Sequence, residues 1–396
     1  TGWVTGDELA SGPLPVSEPE RRALARTGLF DSDGSRSFSF AHRQFAEFLA
    51  GRRIGQTMRP HEAKKLLSTT LGPGSGVAGP LRETAAFAAH FSTEIADWLA
   101  QTDPEVLAIS EIADDSLKRL ATKALVNAFR DHRLTDSQLH RDGFNLLGLK
   151  YANAEKDIRP LLAERGQGIE DVLECAIEIV EQWELTDLAD ALATLVLDED
   201  APRESRKSAG YALIKLPRVP VVNEARKRLR PLLQRKGRSA SRELTGLTLR
   251  ALWPDYLTAT ELLYVLPVGE NRSYLGALDG FVYELDKTGF DASDSLLQGL
   301  KWALRHAKKS EHLYSDNPHQ RIAKRIARRS LAHIDKPRIL SALADVVVAI
   351  AHCGASIFGR DADATEGAAT TDATPLTDST RRALILAITS KDVKDS

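Results

Sequence analysis

Residues 188–216 read LADALATLVLDEDAPRESRKSAGYALIKL, and this stretch decides the fold class. Leu188, Leu192, Leu195 and Val196 recur at helical spacing on one face. The run stops at an acidic turn, Asp198-Glu199-Asp200-Ala201, where Pro202 redirects the chain. Beyond it, Ala209, Ala212 and Leu213 give a second helix whose small side chains allow close packing. Arg206 stands where it can satisfy acidic or carbonyl groups in the turn. Two short amphipathic helices joined in this way each need a neighbour to cover an apolar face, so the pattern predicts a stacked array. The pair is HEAT-like. A weaker copy runs from Ile112 to Phe129, with Asp114, Asp115, Arg119, Ala121, Ala124 and Leu125 at comparable positions, and the period between copies is irregular.

Outward from this pair, the same periodicity predicts helices over 61–71, 81–91, 92–101, 116–130, 135–150, 158–165, 169–183, 187–197, 203–216 and 221–233. Residues 244–289 break the pattern. They hold a Trp253-Pro254-Asp255 turn, a Thr258 cap with Glu261 in the capping-box position, and Gly269, Gly276 and Gly280. Helices resume over 293–308, 319–333 and 337–352. Residues 359–378, rich in Ala, Thr, Asp and Gly, bury little and read as a mobile loop before a last helix from 379. The expected fold class is therefore all-α, a HEAT-like α-solenoid. The division read from the sequence is 1–58, 59–243, 244–358, 359–378 and 379–396.

The chain of 396 residues has 42% apolar and 27% charged residues, enough apolar material for a packed core. Lys and Arg number 53 against 55 Asp and Glu, so any attraction to nucleic acid or an anionic surface must be local. No apolar run reaches the length that spans a bilayer, and no secretory leader pattern opens the chain, so no membrane partner and a cytoplasmic location are expected. Cys175 and Cys353 lie far apart inside helical apolar patterns and read as buried thiols.

The N-terminal 58 residues differ from the rest. Ser17-Glu18-Pro19-Glu20 has the form of a capping box ahead of 21–29. The alternation Arg36-Ser37-Phe38-Ser39-Phe40 reads as a short strand, and from His42 to Thr57 the apolar positions switch to helical spacing. Helix, short strand and helix make a small winged-helix-like unit.

The segment FSFAHRQFAEFLA, 38–50, resembles the end of the winged-helix domain in NACHT-type signalling NTPases of the STAND class. Similarity extends to ALARTGLF at 23–30 and to LTLRALWPDYLT at 247–258 with Glu261-Leu262-Leu263. The resemblance covers the first 60 residues and an interval from about Leu188 to Phe290, and nothing after it. It implies that His42 reaches the terminal phosphate of bound ADP, with Phe45, Glu47 and Phe48 fixing the helix. An imidazole at a helix N-terminus lies near the positive end of the dipole, where phosphate is also favoured. A histidine that only caps or packs fits the same spacing. No Gly-x-x-x-x-Gly-Lys-Ser/Thr loop occurs in the sequence. This chain alone is thus expected to bind no cofactor and to hydrolyse nothing, and the resemblance places the ADP/ATP site ahead of Thr1 in a longer parent protein.

Other candidate sites are weaker. Gly74-Ser75-Gly76-Val77-Ala78-Gly79 matches a dinucleotide-binding pattern only on paper, because the residues before it read as helix. Basic residues cluster around Arg226-Lys227-Arg228-Arg230 and again at Lys301 and Arg305. Arg321, Lys324, Arg325, Arg328 and Arg329 form a helical stripe that can track a phosphate backbone or simply face solvent. His306, His312, His319 and His333 are scattered with no carboxylate at ligand spacing, and no metal or catalytic constellation appears.

Two functions follow. One is the non-catalytic sensor portion of a NACHT/STAND signalling NTPase, as in bacterial antiphage defence. Such a portion binds a protein trigger on its helical array, and the intact protein oligomerises. The other is a stand-alone helical-repeat scaffold for protein or nucleic acid.

Overall fold

The computed structural model describes residues 4–5, 17, 19–20, 23, 28, 30–32, 37–69, 76–109, 114–135, 146–234, 242–266, 276–285, 293–309, 318–352 and 378–392. Contacts divide the chain into two compact units, Thr1–Leu188 and Ala189–Ser396. Apart from one small sheet near the N-terminus, both are all-α.

In the first unit, β1 (Val4–Thr5), β2 (Phe30–Ser32) and β3 (Ser37–Phe40) form an antiparallel sheet in the order β1-β3-β2. Eight helices described in this unit follow: α1 (Arg43–Thr57), α2 (Pro60–Leu67), α3 (Arg82–Ala89), α4 (Thr93–Thr102), α5 (Pro104–Leu107), α6 (Asp115–Arg130), α7 (Glu155–Leu162) and α8 (Glu170–Gln182). Helix α1 packs on α3, α3 on α4, α4 on α5 and α6, and α6 and α7 on α8. Starts follow local chemistry: Ser92 and Asp114 cap α4 and α6 with their side chains, and prolines open α2 and α5. The core is apolar side chains from successive helices, among them Leu99, Leu125, Phe129, Leu146, Ile158, Leu173 and Trp183. Each such side chain contributes about 1.5–3 kcal/mol by leaving water.

The second unit holds α9 (Ala189–Leu197), α10 (Arg203–Lys215), α11 (Pro220–Lys227), α12 (Arg242–Leu252), α13 (Ala259–Val265), α14 (Ala277–Leu285), α15 (Ser293–Lys309), α16 (Pro318–Ser330), α17 (Pro337–His352) and α18 (Asp378–Asp392). Alternate helices pack in two layers. One layer runs α10, α12, α14, α16, and the other includes α9 on α11 and α13 on α15 on α17. The quoted pair forms as its spacing predicts, with Leu192, Leu195 and Val196 buried in α9, Leu188 buried in the 3-10 turn before it, and Ala209, Ala212 and Leu213 buried in α10. Arg206 Nε donates to the Val196 carbonyl at 3.0 Å, closing the end of α9.

The repeat is more regular in space than in sequence. Within each unit, polar contacts between successive helix pairs recur at separations of 31 to 38 residues. Lys118 Nζ donates to the Lys150 carbonyl across 32 residues and Lys150 Nζ to the Trp183 carbonyl across 33. Arg130 pairs with Glu164 across 34. In the second unit Arg228 meets Asp190 and Thr194 across 38 and 34, Arg218 meets Asp255 across 37, Arg230 meets Glu261 across 31, and Arg250 meets Glu284 across 34. Successive helix pairs are therefore tied edge to edge at separations close to the length of one pair, as in a stacked helical array.

Several elements differ from the expectation. The described helices within 244–289 continue the array, since α12 and α14 lie in one layer. Their close approach depends on Gly246, where an added Cβ would stand 2.1 Å from the Leu278 nitrogen. The helix expected over 221–233 ends at Lys227 and gives way to a 3-10 turn at Arg230–Gln234. Of the helix expected over 135–150, a 3-10 turn at Leu146–Leu149 is seen, and 136–145 lie outside the described residues. The loop read over 359–378 falls outside them except for Asp378, which opens α18.

Candidate functional site

The sheet aims the chain into α1. β2 and β3 pair with Phe30 opposite Phe40, their rings 4.8 Å apart, and β1 covers the other edge of β3 through Val4 and Thr5. Two residues later the backbone turns into the helix at His42, with φ −126° and ψ 130°. The His42 carbonyl accepts from the Phe45 amide at 3.1 Å, while its imidazole caps nothing, is exposed, and lies 5.8 Å from the Phe45 ring. The strand-to-helix junction expected at His42 is present. The first amides of α1 have no acidic side chain in their turn.

Beneath His42 lies a charged seam. Arg43 Nε donates to Glu47 Oε1 at 2.5 Å, and Arg43 Nη2 donates to the Pro80 carbonyl at 3.3 Å, tying α1 to the segment before α3. Glu47 is only 6% exposed. Its carboxylate hydrogen-bonds the Glu83 carboxyl, which raises the Glu83 pKa above the usual range; partial burial and the Glu47 charge act in the same direction, and Arg43 opposes them. With Glu83 ionised, Glu47 Oε2 is buried with no donor. Along the same contact Gly51 and Gly55 bring α1 against α3, where an added Cβ at Gly51 would stand 2.6 Å from Phe87 Cβ and one at Gly55 2.6 Å from the Ala88 carbonyl oxygen. Phe48 makes edge-on contacts with Phe87 and Phe91 at 5.5 and 6.1 Å. Phe45, 39% exposed, lies beside the His42 ring.

The basic stretch around Arg226 has a structural role that its sequence did not reveal. Arg226 is buried and donates to the carbonyls of Leu213, Ile214 and Leu216, closing the C-terminus of α10. Lys227 pairs with Glu224 and covers the Tyr256 ring. The signal was available in the connection after α10: Pro217 and Pro220 have no N–H to offer those carbonyls, so a side chain must.

The second basic stripe lies on α16. Ile322, Ala323, Ile326 and Ala327 are buried, and Lys324, Arg325, Arg328 and Arg329 are half-buried along the flanks. The side chain of Arg321 lies outside the described residues. Lys301 and Arg305 are exposed on α15. The side chains of His306, His312 and His319 are not described, and His333 sits in a 3-10 turn with no carboxylate cluster around it among the described residues.

Gly76-Val77 of the glycine-rich segment is held by structure: Ser68 bridges to Val77, whose amide donates to Asp103 Oδ2 at 3.0 Å. Among the described residues, no group of three or more His, Cys, Asp or Glu is arranged for a metal ion, and no helix is long and apolar enough to cross a membrane. Cys175 is buried in α8; Cys353 lies outside the described residues. No family model, curated protein or solved structure matches the chain.

Proposed function

We propose that this chain is the sensor and interaction portion of a NACHT/STAND-type signalling NTPase, acting in the cytoplasm in bacterial antiphage defence or a related response. The observation that carries this reading is the β2–β3 hairpin feeding directly into α1 with an exposed His42 at the junction, its imidazole engaged in no cap. The all-α array after it supplies broad recognition surface. In the intact protein, His42 contacts the terminal phosphate of ADP and helps hold the resting state. A protein trigger that binds the array more tightly in the open state releases it, and the open form exchanges nucleotide and oligomerises. Moving such an equilibrium from 1:99 to 99:1 takes about 5.5 kcal/mol of differential trigger affinity.

The test uses the full-length protein encoded around this chain. Its bound nucleotide is released by denaturation and quantified by ion-exchange chromatography, with and without His42→Ala. Co-purifying ADP that falls several-fold in the variant supports the reading. Full-length protein that carries no nucleotide, or equal ADP in both forms, defeats it.

A further inference from the structure

Helix α1 is turned outward in its chemistry. It buries Glu47, Gly51 and Ile54 and presents Phe45, Phe48 and Leu49 to solvent at 39%, 37% and 46% exposure. Large apolar side chains at i, i+3 and i+4 on one open helix face are the anchor pattern by which a second amphipathic helix docks. Phe48 is held by its edge contacts with Phe87 and Phe91, so little side-chain freedom remains to be lost on binding.

Charge identifies the occupant. Arg52 and Arg53 are exposed one turn beyond Leu49. Arg52 Nε reaches only the neutral Gln56 Oε1, at 3.2 Å, and neither arginine has a carboxylate at ion-pair distance among the described residues. The one acidic side chain of α1, Glu47, is buried and engaged with Arg43. Among the described residues, the outward face of α1 thus combines apolar anchors with positive charge. A second copy of α1 laid on it would bring arginines to arginines with no carboxylate to meet them, which disfavours self-association.

We infer that the outward face of α1 docks an acidic amphipathic helix of a partner protein, its apolar residues against Phe45, Phe48 and Leu49 and its carboxylates on Arg52 and Arg53. This inference does not require His42 to meet a nucleotide, although the His42 ring lies beside Phe45 at 5.8 Å.

The probe is a short fluorescein-labelled synthetic helix with Leu at alternating third and fourth positions and Glu on both flanks, titrated with the full chain. Two control peptides replace Glu by Lys or Leu by Ser. The Glu peptide binds. Phe45→Ser with Leu49→Ser, and separately Arg52→Glu with Arg53→Glu, each weaken it about tenfold or more. The Lys peptide gains affinity for the Arg52→Glu, Arg53→Glu chain, a rescue that an unfolded variant would not give. Four results overturn the inference: no binding of the Glu peptide, equal binding to the variants, equal binding of either control peptide to the unaltered chain, or loss of the Lys-peptide rescue. Sedimentation showing a dimer that Phe45→Ser with Leu49→Ser dissolves would also overturn it, assigning the face to a second copy. So would single-stranded RNA binding that needs Arg52 and Arg53 and outcompetes the Glu peptide.

Discussion

Trp183 Nε1 donates to the Leu146 main-chain carbonyl at 2.6 Å, 37 residues away, while the Trp183 carbonyl accepts from Lys150 Nζ at 2.6 Å. One fully buried indole therefore fixes the register between the 3-10 turn at Leu146–Leu149 and the end of α8, with Tyr151 edge-on at 5.6 Å. Trp183→Phe keeps most of the apolar volume but leaves a buried carbonyl unpaired, an expected loss of about 1–3 kcal/mol. Trp183→Ala adds a cavity and should cost about 3–5 kcal/mol. Urea denaturation followed by circular dichroism measures both, and equal midpoints for Trp183→Phe and the unaltered chain would show that the indole bond contributes nothing.

Arg226 is a buried cation whose partners are three carbonyl dipoles at the end of α10, with no carboxylate at hydrogen-bond distance among the described residues. Burial lowers its pKa, yet a guanidinium keeps its charge in proteins. The negative end of the α10 dipole stabilises that charge. Arg226→Lys offers a single nitrogen where the fork now reaches three oxygens, and should lose about 1–2 kcal/mol; Arg226→Met leaves all three oxygens without the donor and should lose about 3 kcal/mol. Differential denaturation of the two variants checks the order. Met equal to or better than Lys would refute the capping role.

The Glu47–Glu83 pair gives stability a definite pH dependence. The folded-state pKa of Glu83 lies above its unfolded value, so the folded chain binds the extra proton in the window between the two. The stability this group contributes is then fully present below the unfolded value of Glu83 and is lost as pH rises through the raised folded value. Glu83→Gln supplies a permanent donor to Glu47 and removes the repulsion, so it should flatten this fall and raise the melting midpoint at neutral pH by about 1–2 °C. Calorimetry from mildly acidic to neutral pH reads the difference, and parallel profiles for both proteins would rule out the shared proton.

What the sequence revealed and what it hid divide along a physical line. Features encoded by neighbours were legible. Thr258 and Glu261 form the full capping box at α13, Glu20 reaches back to the Ser17 amide and hydroxyl, and Arg206 closes α9. The turn from β3 into α1 at His42 was readable for the same reason, since period-two and helical spacing meet there. The register of the array was not: arginine-to-carboxylate contacts recur in both units, but at separations that vary from 31 to 37 residues, and a lysine or an indole on a carbonyl takes their place at other steps. The arginines that make them look the same in sequence as those that face solvent. Nor was the orientation of α1, whose buried face is set by Gly51 and Gly55 against α3, while Phe45 and Leu49, which pattern alone would place inside, face out.

Gly246 shows how the array closes where the sequence appeared to break. Its backbone lies against the start of α14, where the Ala277 amide donates to Glu243 Oε2 at 2.8 Å, so α12 supplies both the close contact and the N-terminal acceptor for its neighbour. Alanine is the better helix former by about 1 kcal/mol, and in an open helix Gly→Ala would stabilise. At 246 the new methyl would meet the backbone at Leu278, which cannot yield as a side-chain tip does, so Gly246→Ala should destabilise by about 2 kcal/mol or more. Gly79 is the control: an added Cβ there meets nothing within 4 Å, and Gly79→Ala should change stability by less than about 0.5 kcal/mol. Thermal unfolding of the two variants side by side separates close packing from propensity. A Gly246→Ala chain as stable as the Gly79→Ala chain would mean that α12 and α14 do not approach as closely as the fold requires.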